Sequence, residues 1–294
     1  MRNVSHDLLQ ALVIFAAGLA AGTINTVVGS GTLITFPTLL AFGYPPVVAN
    51  VSNNVGLVPG AVSGAVGYRA ELKGQRRRLL RLGAASLCGG LVGAVLLLVL
   101  PAGAFKEIVP ALIGIALVMV VFQPRLSKWV AARQAARSGD SGGPSAGSGP
   151  AGAGSGAAGG GSGAVGVVTP VATQAIVQVG GPVLWLCVFL SGVYGGYFGA
   201  AQGVLLLGLM GVAFTDSLQR INATKNVLAG LVNGVAAIVF IVAGHVNWGV
   251  AGLIAAGSIL GAQVGARVGR KLPPWGLRVL IVCVGAAALV KLLA

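Results

Sequence analysis

The sequence predicts an all-α polytopic membrane protein: two inverted repeats of about five apolar segments each, with short broken or re-entrant helices. Three observations predict it. First, 56% of the 294 residues are hydrophobic and 8% are charged, and mean hydropathy is +0.93. Ordinary globular domains are far more polar. Second, apolar runs approaching the ~20 residues that a bilayer crossing needs recur along the chain. Third, the pattern Asn-x-[Ser/Thr]-x-Asn occurs twice, as Asn50–Asn54 and as Asn222–Asn226, 172 residues apart. Each copy heads an apolar segment. Clustered amides and hydroxyls beside lipid-length helices are costly unless they meet each other, water or a ligand.

In chain order, Leu8–Val28 is a span, interrupted by Gly29-Ser30-Gly31-Thr32. A short run then reaches Phe42. Irregular backbone of this kind is tolerated in a membrane only where protein or a water-filled cavity covers it. Gly43-Tyr44-Pro45-Pro46 is a turn. Asn50 leads a helix to Tyr68. Loop 69–81 carries Arg69, Lys73, Arg76, Arg77, Arg78 and Arg81 against Glu71 alone. Leu82–Leu100 is a span, Pro101–Glu107 a loop and Ile108–Phe122 a span. Loop 123–137 carries Arg125, Lys128, Arg133 and Arg137 and no acid. Ser138–Ala164 is almost wholly Gly, Ser, Ala and Pro, a composition that cannot bury a core and reads as a disordered linker. Val165–Pro182 matches no template and stays unassigned.

The second half replays the first. Val183–Gly199 is apolar, Ala200-Ala201-Gln202-Gly203 interrupts it, and a short run ends at Phe214. Thr215–Ile221 is a polar turn. Asn222–Ala243, Gly249–Val268 and Gly276–Leu293 are spans separated by loops 244–248 and 270–274. The 172-residue offset also pairs Gly31 with Gly203, Phe42 with Phe214, Gly89 with Gly261, Gly93 with Gly265 and Pro101 with Pro273. The expected domains are therefore a transmembrane repeat over 1–137, a linker over 138–164 and a second repeat over 165–294.

Charge decides the sense of the repeats. With loops 69–81 and 123–137 cytoplasmic, five segments per half turn the second half upside down. Only Arg2, Lys106 and Lys291 then remain outside among nineteen lysines and arginines. A parallel arrangement would export Arg267, Arg270 and Lys271, against the positive-inside bias. Both termini are expected outside. Inverted repeats with discontinuous helices hold substrate near the midplane in many secondary transporters.

The net charge of +14 could suggest nucleic-acid binding, but no basic stripe with interleaved aromatics appears. Cys88, Cys187 and Cys283 lie far apart in apolar runs and read as small buried hydrophobes, with neither disulfide nor metal spacing. No cofactor or metal site is expected. All five acids (Asp7, Glu71, Glu107, Asp140, Asp216) lie in loops or at segment ends. No carboxylate is therefore placed mid-span to carry a proton or bind Na⁺.

The stretch Gly22–Pro37 (GTINTVVGSGTLITFP), followed by Ala49-Asn50 and the glycine-rich helix to Tyr68, resembles the sulfite exporter TauE/SafE family of bacterial membrane transporters. Gly192–Gly203 (GVYGGYFGAAQG) and Leu218–Asn226 (LQRINATKN) resemble that family's C-terminal repeat. The resemblance covers nearly the whole chain outside the linker. It implies a multi-pass protein of the bacterial plasma (inner) membrane that exports sulfite, a sulfonate or a related organic anion. It does not fix the substrate.

Candidate substrate-binding residues follow from the residues themselves. Asn50, Ser52, Asn54, Asn222, Thr224 and Asn226 either line a polar site or cap helices at the membrane surface. Ser30, Thr32 and Gln202, with the Gly29, Gly31 and Gly203 backbones, either present half-helix N-termini to an oxyanion or allow close packing. Lys225 either neutralises an anion or snorkels to the cytoplasm. Asn25 sits within the first span. His245 reads as a loop residue, and Trp185, Trp248 and Trp275 as an interfacial belt. The expected partners are a small anion and the lipid bilayer; self-association is open. An anion channel built on the same site is the competing function. An intramembrane enzyme is disfavoured by the lack of a His/Glu metal motif or an Asp pair.

Overall fold

The computed structural model describes residues 4–139, 181–214, 216–268 and 274–293. Among these residues are ten helices and no strand. They are α1 (Val4–Val27), α2 (Thr32–Ala41), α3 (Pro46–Gly67), α4 (Arg76–Val99), α5 (Ala102–Gly139), α6 (Pro182–Tyr197), α7 (Gln202–Ala213), α8 (Leu218–Ala243), α9 (Trp248–Val268) and α10 (Pro274–Leu293). Five segments are long and apolar enough to cross a membrane, in α1, α4, α5, α8 and α9; α2, α6 and α7 are shorter apolar helices. The protein is a multi-pass helical membrane protein. The expected linker from residue 140 onward and the unassigned stretch to residue 180 lie outside the described residues.

Local chemistry sets the helix ends. Pro46 and Pro182 occupy first-turn positions of α3 and α6, where proline's missing N–H costs nothing and its φ suits the helix. The Ser217 hydroxyl accepts the Arg220 amide at the start of α8 (3.5 Å), and Gly244 closes that helix at φ 77°. One interruption lies between α1 and α2, where Gly29 adopts φ 91°. Its counterpart between α6 and α7 uses Ala201 at φ 60°. A side chain is tolerated there only under constraint, because left-handed backbone crowds Cβ.

Both interruptions fold their helices into hairpins. The Gln10 amide donates to the Tyr44 hydroxyl at 3.0 Å, so the end of α2 returns to the level where α1 begins. At ten residues α2 is about 15 Å long, roughly half of a bilayer's ~30 Å hydrocarbon core.

Helix packing follows one scheme. α1 lies against α9, and α4 against α6. α3 packs on α9, and α8 on α4. α2 meets α10, and α5 meets α7. α3 meets α8, and α5 meets α10. Exchanging the first five helices with the last five reproduces this set of contacts. Glycines make the closest contacts possible. A Cβ on Gly261 would sit 2.0 Å from the Leu19 carbonyl oxygen, and one on Gly89 2.1 Å from that of Phe189. The glycine pairs at four-residue spacing on α4 and α9 are thus the surfaces against which α6 and α1 lie.

Several sequence expectations are corrected. Segment 123–137 is not a loop: α5 continues through Pro124 to Gly139. At 38 residues it is about 57 Å long, more than a bilayer core can cover. Helix α5 also begins at Ala102, so only Pro101 remains of the expected loop 101–107. The basic stretch 69–81 is helical from Arg76. Cys88 and Cys283 are exposed and Cys187 is half-buried; their helices turn them outward rather than inward. Neither Asn50 nor Asn222 heads its helix. Each lies one turn inside, four residues after Pro46 and Leu218 respectively.

Candidate functional site

A helix end leaves carbonyls without intrahelical donors. Inside an apolar protein they must find partners. The ends of α1 and α6 lie inside, and asparagines from the opposite half supply the donors. Asn222 and Asn226, both on α8, donate their amide nitrogens to the Thr26 carbonyl at 3.1 and 3.2 Å. Asn50 of α3 donates to the Tyr197 carbonyl at 3.0 Å. The capping reading of these asparagines is therefore overturned: Pro45 and Ser217 hold the N-cap positions of α3 and α8. Asn50, Asn222 and Asn226 instead bind helix C-termini across the two halves.

Lys225 lies among them. It is 1% exposed, so it does not snorkel to the surface. Its Nζ donates to the carbonyls of Asn25 (3.2 Å) and Thr26 (3.4 Å). Among the described residues no carboxylate pairs with it. The C-terminal end of α1 carries the negative pole of the helix dipole and partly balances an ammonium there. Two carbonyls and half a dipole do not replace a counter-ion for a cation removed from water.

The two interruptions meet back to back. The Gly203 amide donates to the Gly29 carbonyl at 3.1 Å, and the two chains approach so closely that a Cβ on Gly29 would stand 2.5 Å from the Gly203 Cα. One residue inward on each side, Ser30 and Gln202 are buried, 0% and 2% exposed. The Ser30 hydroxyl and the Gln202 amide nitrogen have no hydrogen-bond partner among the described residues, nor do the Asn54 and Asn222 amide oxygens. An enclosed cavity of about 10 Å³ adjoins Asn25, Thr26, Gly29, Lys225, Asn226 and Ser258. That is room for about one water.

The candidates thus separate. Asn25, Lys225, Asn226 and Gly29 line the cavity. Asn222 shares their carbonyl, and Ser30, Gln202 and Gly203 sit at the crossing of the breaks. Gly31 packs on α1, where an added Cβ would stand 2.4 Å from the Ala21 carbonyl oxygen. Thr32 accepts a hydrogen bond from the Asn53 amide at 3.4 Å, and Thr35 bonds the Asn53 carbonyl oxygen. Asn54 faces Asn233 across the α3–α8 contact (3.5 Å). Ser52 and Thr224 point away. Ser52 accepts the Asn247 amide at 2.9 Å, just before α9, and Thr224 donates to the Gln75 side chain at 2.9 Å, just before α4. His245 lies exposed between α8 and α9.

Three contributors escaped sequence reasoning. Asn53 ties α2 to α3, and 172 residues on from it stands Lys225. Asn233 shares a helical face with Asn222 and Asn226, a spacing readable in the sequence. The Thr26 carbonyl is backbone and leaves no trace there.

We expect Asn50→Ala to cost about 1–3 kcal/mol, the penalty of a buried carbonyl left bare. It should lower the melting temperature of the purified protein, whereas His245→Ala, at an exposed turn, should barely move it.

These features belong to a polytopic membrane transporter. The sequence model of the family described as "Sulfite exporter TauE/SafE" matches residues 14–177 and 171–292, and the chain belongs to that family. It is 27% identical over 297 residues to "Probable membrane transporter protein ORF9" of Sinorhizobium sp, covering 100% of this chain and 95% of the relative. It is 27% identical over 293 residues to "Probable membrane transporter protein YfcA" of Escherichia coli (strain K12), covering 96% and 88%. A "Probable membrane transporter protein" of Haemophilus influenzae is 24% identical over 266 residues, covering 90% and 87%. No solved structure matches significantly.

Proposed function

We propose that this chain exports a small anion (sulfite, a sulfonate or a related organic anion) across the plasma membrane by alternating access. The observation that carries the proposal is Lys225: a fully buried cation without a carboxylate partner among the described residues, beside a cavity at the crossing of two helix breaks. An oxyanion supplies the charge that the fold withholds. The Ser30 hydroxyl and Gln202 amide are unused donors nearby in the fold, of the kind that orients an oxyanion. The cavity has room for about one water, so it widens before an anion occupies it.

The exchange-related packing of the two sets of five helices supports an inverted repeat, with residues 1–137 and 165–294 rocking about the Gly29–Gly203 contact. The stretch between them is a linker. The arginine-rich start of α4 and the basic end of α5 then face the cytoplasm, and both termini face outward. An inside-negative potential favours anion exit by about 2.3 kcal/mol per charge per 100 mV.

The test is flux in proteoliposomes with labelled sulfite and a small panel of sulfonates. A carrier gives saturable flux with little conductance. Ohmic anion current would assign a channel instead, and absence of flux for every anion in the panel would remove the anion reading.

A further inference from the structure

Two clefts open on the helix bundle at places that correspond under the 172-residue offset. The first lies where α4 and α6 begin and α7 ends. It holds about 670 Å³ and is lined by Arg77, Arg78 and Arg81 with Leu184, Trp185 and Phe214. The second lies where α9 and α1 begin and α2 ends. It holds about 720 Å³, with Gly249, Val250 and Leu253 where the arginines stand and Phe42 in place of Phe214. Its polar residues are His6, Asp7, Gln10, Tyr44 and Asn247. The second cleft shows that the fold builds this recess without any arginine. The three arginines are therefore not needed to form the first.

Corresponding residues link each cleft to the helix that carries an Asn cluster, through different bonds. Arg78 donates to the Gln75 side chain at 3.0 Å, and that oxygen accepts Thr224, the neighbour of Lys225. Across the molecule the backbone amide of Asn247, the counterpart of Gln75, donates to the hydroxyl of Ser52, the counterpart of Thr224. Arg78 also pairs with Asp216, which accepts Arg220 at 3.3 Å, and its guanidinium lies 3.7 Å from the centroid of the Phe214 ring. Arg78 is thus held in place by its neighbours. Arg77 and Arg81, one helical turn apart and exposed, extend the positive lining outward. The N-termini of α4 and α6 add their positive poles.

We propose that the cleft of Arg77, Arg78 and Arg81 is a second anion-binding site, where the transported oxyanion is collected before it reaches Lys225. The opposite cleft, without arginine and with Asp7, releases anion and recaptures it poorly. The proposal rests on the anion-transport reading and adds a direction to it. A cationic recess with low-dielectric walls raises the local concentration of counter-ions by about tenfold or more, and salt removes the effect.

The test uses the full chain with Trp185 as the sole tryptophan (Trp129→Phe, Trp248→Phe, Trp275→Phe), in zwitterionic lipid. Iodide should quench Trp185 several-fold more efficiently than neutral acrylamide at low salt. Arg77→Gln with Arg81→Gln, or high salt, should abolish that preference. In sided membrane vesicles the same double change should raise KM about tenfold for anion presented at the arginine side. It should leave kcat within about twofold and the opposite-side KM unchanged. An equal KM change on both sides, or an unaltered iodide preference, would overturn the site. A defect repaired by adding anionic phospholipid would also overturn it, assigning the cleft to a lipid headgroup. Iodide accumulation without transport of any anion by the wild type would overturn the collecting role through the transport reading alone, leaving the anion site in place.

Discussion

Lys225→Met should abolish anion flux, by about 100-fold or more, while the protein melts no lower than wild type. The two halves of this expectation have separate causes. Methionine has similar length and no charge, so it fills the same buried channel between α8 and the end of α1. Replacing a desolvated and poorly compensated charge with an apolar side chain is commonly neutral or stabilising. The Asn25 and Thr26 carbonyls lose one donor, but Thr26 retains Asn222 and Asn226. In the proposed site an anion would lose the one full positive charge that the described residues place at the centre. A charged hydrogen bond removed from a dry site costs about 3–5 kcal/mol, and each 1.4 kcal/mol is tenfold. Lys225→Arg keeps the charge but needs more room and a planar fork, so it should retain a fraction of the flux. The checks are initial rates in proteoliposomes and melting of the purified protein. Flux of Lys225→Met within about threefold of wild type would remove Lys225 from the site. A large drop in melting temperature with Lys225→Met and Lys225→Gln alike would make it a structural cation.

Gly29→Ala and Gly203→Ala should each destabilise the protein by about 3–5 kcal/mol, among the larger effects of single substitutions. A Cβ on either glycine would lie 2.5 Å from the other's Cα. Both neighbours are backbone, and the amide of one already donates to the carbonyl of the other, so neither can move aside cheaply. Gly29 adds a φ of 91°, which L-residues rarely adopt. Gly43→Ala separates the two causes. Its φ is 82°, but nothing lies within 4 Å of the added carbon, so only the backbone penalty of about 1 kcal/mol applies. Thermal unfolding followed by tryptophan fluorescence should rank Gly43→Ala well above the other two. Equal melting of all three would show that the breaks can part by the required ångström.

The apolar segments and the polar clusters were legible because hydropathy and repeated spacing are properties of side chains. The helix starts were partly legible too. Pro46 and Ser217 are ordinary signals for a first turn and an N-cap, and they place Asn50 and Asn222 inside their helices rather than at the heads. The reach of α5 was hidden by Pro124, which reads as a terminator. The Ala, Arg, Lys and Gln after it are good helix formers that continue the helix once apolar periodicity has ended. The targets of the asparagines could not be read at all, because they are carbonyls at helix ends. Even the offset slips there: Asn50 reaches Tyr197, yet Asn222 reaches Thr26 rather than Asn25. Asn53 and Lys225 occupy corresponding positions with different chemistry. An amide tying α2 to α3 in one half becomes, in the other, an ammonium at the end of α1.

The cross-tying of helix ends also has a consequence in time. The Thr26 carbonyl waits for an amide that lies 196 residues further along the chain. At ribosomal speeds of about 5–20 residues per second, that delay is roughly 10–40 s. Through this interval the hairpin of α1 and α2 resides in the nascent membrane protein with its inner end unfinished. An early product ending before α8 would keep that helix end without its amide donors permanently.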